Sequence, residues 1–86
     1  MGVVEDLADD LARETLVLME ELNDDRFFYE VAKVVGASSP TLEEAYLTAM
    51  RVRMASLRGR KFLDATLKAK RAGVAPPAAP PDSATH

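Results

Sequence analysis

Pairs of adjacent carboxylates, among them Asp9–Asp10, Glu20–Glu21, Asp24–Asp25 and Glu43–Glu44, are the densest concentration of chemically capable side chains in this 86-residue chain. Two carboxylates that converge can share a proton or hold a divalent cation. Adjacent residues on a helix, however, point about 100° apart. The pairs therefore read as solvated helix faces and caps, not as a proton dyad or a metal site. Nucleophilic catalysis needs a nucleophile, a base and a group that orients the base. The chain has no cysteine, its single histidine is the final residue His86, and its serines lie in a turn segment, at Ser56 and near the C-terminus, away from any base. It also lacks a glycine-rich phosphate loop. The expectation is a protein that is not an enzyme and uses no cofactor or metal.

What the charged residues do carry is polarity. Residues 1–25 hold nine acidic side chains and the single base Arg13, whereas residues 51–72 hold eight basic side chains and the single acid Asp64. Two surfaces of opposite sign must satisfy each other, within one molecule or between two, or be met by partners. The candidate interaction surface is accordingly Arg51, Arg53, Arg58, Arg60, Lys61 and Lys68 on the basic side and Asp6, Asp9, Asp10 and Glu20 on the acidic side. The N-terminus has acids where a signal peptide needs bases, and no apolar run nears the ~18–20 residues of a membrane span, so the expectation is a cytoplasmic protein with no membrane partner.

The elements that position these charges are helical throughout. Val4, Leu7, Ala8, Leu11, Thr15, Leu18, Met19 and Leu22 share one side on a 3.6-residue period, which predicts an amphipathic helix over 3–22. Leu16 and Val17 lie off that stripe and imply more than one neighbour. Asn23, Asp24 and Asp25 interrupt the pattern and offer capping acceptors to a second helix over 25–35. There Phe27, Phe28, Val31, Val34 and Val35 form the apolar face, and Gly36 is placed to end the helix in a left-handed conformation. Ser39 as a cap, Pro40 at the first helical position and Glu43 and Glu44 in the first turns announce a third helix over 40–72. Its apolar arc comprises Leu42, Ala45, Tyr46, Ala49, Met50, Val52 and Leu57. Arg53 projects within that arc. Either its stem packs while its guanidinium reaches water or an acid, or it is a buried switch or ligand-binding arginine. Gly59 costs about 1 kcal/mol relative to alanine in a helix, and the stripe changes register beyond it, so a kink or an end to core packing is expected there. The segment 73–86, rich in proline and alanine, predicts a disordered tail, in which Pro77 and Pro80 have P-x-x-P spacing.

Together these features predict an all-α fold: a small three-helix domain over 1–72 with a long third helix, then the tail. Residues 28–47 also resemble the bacterial helix-turn-helix family, through Ala32 at a close helix contact, Gly36 and the GASSPT segment at the turn, and apolar Val31, Val35, Leu42 and Ala45. The resemblance covers about a quarter of the chain and implies a second helix entering the DNA major groove. The chain departs from it where DNA would be touched, because that helix opens with Glu43 and Glu44 and carries no base before Arg51. The functional expectation is a protein-interaction module, a small regulator, adaptor or inhibitor that meets a larger protein through a charged helical surface. The alternative is a nucleic-acid-binding regulator using the helix-turn-helix-like unit or the basic arm. So small a core also favours self-association, and a homodimer pairing the acidic first helix with the basic segment is expected.

Overall fold

Three helices account for the secondary structure of the computed structural model, which describes residues 2–80: α1 (Val3–Leu22), α2 (Phe27–Ser38) and α3 (Pro40–Ala72). The fold is all-α, with no strand among the described residues. The expected tail is described only to Pro80, where it is exposed and without regular structure from Ala75 onward; residues 81–86, His86 among them, lie outside the described residues. The chain divides after Met54 into two compact units, the second beginning at Ala55.

Local stereochemistry sets each boundary. α1 begins with Glu5 and Asp6 in its first turn, where negative charge suits the helix dipole. It ends at Asn23, the one non-glycine described residue in the left-handed region (φ 53°). The Asn23 amide donates to the Glu20 carbonyl and the Asp24 amide to the Met19 carbonyl, the paired closure of a Schellman motif. Asp24 Oδ1 then accepts from the Arg26 amide at 3.0 Å, which turns the chain into α2.

α2 begins two residues later than expected and passes through Gly36, which is helical rather than left-handed. The terminator is Pro40. Its ring disfavours helical backbone in the residue before it, and Ser39 is accordingly extended (φ −150°, ψ 98°). A Cβ at Gly36 would meet only the carboxylate end of the Glu43 side chain of α3, which is free to swing aside. Ser39 also performs its expected role, its Oγ accepting from the Leu42 amide at 3.1 Å. A single extended residue thus joins α2 to α3, so the GASSPT segment forms no glycine turn of three or four residues like that of a helix-turn-helix.

In the first unit, Ala8, Ala12, Met19, Phe28, Ala32, Tyr46 and Met50 form the core, with Leu11, Leu16, Phe27, Val31, Leu42 and Met54 packed at its margin. The period expected of α1 holds but its phase is shifted. The buried line runs Ala8, Ala12, Thr15, Met19, while Leu7, Leu18 and Leu22 are 50%, 41% and 50% exposed. Alanine lets backbones approach closely, so the small residues take the centre and the leucines fall to the edge. Tyr46 and Met50 are fully buried. The Tyr46 hydroxyl donates to Thr15 Oγ1 at 2.9 Å, and Thr15 Oγ1 donates to the Leu11 carbonyl at 2.7 Å. This chain satisfies both buried hydroxyls across α1 and α3, and burial pushes the Tyr46 phenol up from its ordinary value, partly offset by the hydrogen bond to Thr15.

α3 is helical through Gly59 without a break. Core packing ends earlier, at Met54; Val52 and Leu57, expected in the apolar arc, are exposed. In the second unit α3 closes on a further Schellman motif. Gly73 (φ 73°) donates to the Lys70 carbonyl and Val74 to that of Ala69, and Ala69, at the position that receives the hydrophobic contact of such a motif, is buried.

Candidate interaction surfaces

The acidic and basic residues singled out by sequence divide into those already paired and those still facing solvent. Asp9 on α1 and Arg53 on α3 form a two-pronged ion pair: Arg53 Nε donates to Asp9 Oδ1 at 2.6 Å and Nη2 to Oδ2 at 2.7 Å. Arg53 is partly buried and its guanidinium meets an acid, as the first of the two roles that sequence allows it requires. The hydrogen bond from Arg53, and secondarily its charge and that of Arg13, hold the Asp9 carboxyl below its ordinary value against the opposing effect of partial burial. Asp10 is paired with Arg13 one turn away, and Arg13 also lies 3.9 Å from Asp9. Asp6, Glu20 and Arg51 are exposed and join no ion pair among the described residues. Asp9 and Arg53 are therefore committed to each other across α1 and α3, whereas Asp10 makes only an exposed local pair. Among the described residues no three His, Cys, Asp or Glu side chains gather as a metal would require.

A second feature of the first unit was not singled out from sequence. A shallow open groove runs between α1 and α2, lined by Leu11, Val17, Leu18, Phe27 and Val31 together with two acids, Glu14 and Glu21. Val17 is 66% exposed and Leu18 41%, so this groove leaves large apolar side chains in water. Exposed apolar patches rimmed by polar residues mark interaction sites. Val17, off the main stripe, is one sequence signal for it; Leu16, also off the stripe, packs against the core instead. Glu14 and Glu21 add a second: seven residues apart, they fall on one side of α1, about 10.5 Å along its axis.

In the second unit, Arg58, Arg60, Lys61 and Lys68, with Lys70 and Arg71, are exposed along α3, and none joins an ion pair among the described residues. Between them lie exposed Leu57, Leu63 and Leu67, and Phe62 at 37% exposure. The missing side chain of Gly59 leaves a shallow recess beside Phe62 and Leu63. The segment is thus a basic helix, with apolar and cationic side chains intermixed around it, that uses none of its large apolar residues in the core. No described helix is long and apolar enough to cross a membrane. Comparison of the chain with protein-family models, curated proteins and solved structures gives no match.

Proposed function

We propose that this chain is a non-catalytic protein-interaction module, a small regulator, adaptor or inhibitor that engages a larger acidic protein through the charged helical surface of residues 55–72. The observation that carries this reading is the composition of that surface: six exposed cations against the single acid Asp64, interleaved with exposed Leu57, Leu63 and Leu67. The cations steer encounter with an acidic surface and select against basic ones. Exposed ion pairs are individually worth only about 0–1 kcal/mol, so the leucines must supply most of the affinity by leaving water.

A second reading, nucleic-acid binding by the same cations, draws support from their number, since a basic helical face can neutralise phosphates without reading sequence. Entry of the start of α3 into a major groove is opposed by Glu43 and Glu44 at that end.

The test is capture of partners by the full chain from its native host, with and without nuclease, beside the variant Arg58→Glu/Arg60→Glu/Lys61→Glu, followed by direct binding of the purified partner. An acidic protein retained after nuclease and lost on charge reversal is the expected result. Capture that nuclease abolishes transfers the function to nucleic acid, and capture indifferent to charge reversal removes the basic surface from the account.

A further inference from the structure

The acidic groove of the first unit and the basic helical segment of the second are complementary in both charge and spacing. Glu14 and Glu21 line the groove seven residues apart. Lys61 and Lys68 are also seven residues apart, hence on one side of α3 and separated by the same ~10.5 Å of helix. Neither carboxylate and neither ammonium is ion-paired among the described residues. Phe62, about 100° around the helix from Lys61, is a partly exposed aromatic, and the groove opposite these charges is apolar, with Leu11, Leu18, Phe27 and Val31.

We propose that the α1–α2 groove is the docking site for residues 55–71 of a second copy of this chain, with Phe62 entering the groove and Lys61 and Lys68 facing Glu21 and Glu14. Each chain owns one groove and one basic segment, and the proposed exchange between two copies is reciprocal. That arrangement is a closed two-fold dimer, in which no groove is left to recruit a third copy. Helix-in-groove docking draws its affinity from spaced apolar anchors, and an aromatic anchor in a desolvated recess is the most effective kind. The two charge rungs set register and encounter rate. Two rungs of equal spacing fit either helix direction, so the carboxylate that meets each lysine follows from the direction the pair adopts. Arg60, about 160° around the helix from Phe62, stays outside the contact. A dimer of this kind therefore keeps part of the basic face for the larger partner proposed above, on which this inference does not rest.

The reciprocal pairing makes a sharp test possible with the full chain. Sedimentation equilibrium should show a dimer for the native chain in the micromolar range, weakened but not abolished by high salt. Glu14→Lys/Glu21→Lys and Lys61→Glu/Lys68→Glu each change only exposed side chains, and their helical circular dichroism should match the native chain. Each variant alone should dissociate at least about tenfold more readily, because like charges then face each other in both contacts. An equimolar mixture of the two should recover the dimer, since both contacts of the mixed pair again join opposite charges. Phe62→Ala should also weaken association about tenfold or more, as removal of an anchor does. A native chain that stays monomeric at high micromolar concentration overturns the proposal. So does a mixture of the charge-reversed variants that fails to associate. Neither result touches the larger-partner reading, which fails instead if capture ignores reversal of the basic surface.

Discussion

At the scale of single residues, the Asp9–Arg53 pair shows why charge in this chain cannot be read as surface alone. The two residues lie 44 positions apart, and no local pattern joins them. The only trace is Arg53 itself, a cation set among apolar positions of α3, which is where a guanidinium must find an acid. Because Arg53 holds the Asp9 carboxyl below its ordinary 3.8, the pair's contribution to stability is fully present above pH 3.8 and is lost as pH falls through the lower folded value. Asp9→Asn should therefore be less stable than the native chain at neutral pH, and the difference should shrink below pH 3.8, as urea titrations across that range would show. A gap that stays constant down to pH 2 would mean the carboxylate is not linked to folding. Core residues give a second contrast. Phe28, 5% exposed, should cost about 2–5 kcal/mol as Phe28→Ala. Leu18, 41% exposed at the groove, should cost no more than about half of that in dilute, monomeric protein. Equal losses would place Leu18 in the core after all.

At the scale of elements, what sequence makes legible is what neighbouring residues decide among themselves. Ser39 and Pro40 mark the start of α3 because capping and ring sterics act within four residues. Gly36 is misleading for the same reason: glycine permits a left-handed end but does not impose one, and the ring of Pro40 imposes the end three residues later. The phase of α1 is less legible. Leucine dominates any apolar stripe, yet Ala8 and Ala12 hold the centre because close packing between helices rewards small side chains, a property of the partner helices and not of α1 alone. The groove follows from that shift, since it sets Leu18 and Val17 at the margin. Gly59 provides the test at this scale. It lies in helix with nothing within 4 Å of where a Cβ would stand. Gly59→Ala should therefore stabilise helix around it by about 0.8–1.0 kcal/mol, read in dilute protein as roughly four- to fivefold slower exchange of the neighbouring amides. No slowing, or faster exchange, would show that the glycine accommodates a contact or a bend.

At the scale of the whole molecule, the consequence of these choices is that one continuous helix serves two kinds of surface. Up to Met54, α3 contributes Tyr46 and Met50 to a core shared with α1 and α2; from Ala55 on, its only buried residue is Ala69, beside its own C-terminal cap. Protection against hydrogen exchange should divide accordingly. The amides of Tyr46 to Met50 can open only when the core does, so they should report the global unfolding free energy. Amides from Gly59 to Leu67 are held by helix hydrogen bonds without core packing, and a helix segment of that length is marginal on its own in water. They should open locally and exchange at least about tenfold faster in dilute protein, a difference of about 1.4 kcal/mol or more. Raising the concentration should then slow exchange at residues 55–71 and at Leu11 to Leu18 together, because docking of a second copy covers both, while the Tyr46 to Met50 amides change only by the mass-action term. Mass spectrometry of deuterium uptake at two concentrations would resolve this. Uniform protection along α3 at low concentration would show that the second half of the helix is stabilised within one chain and needs no second copy to hold it.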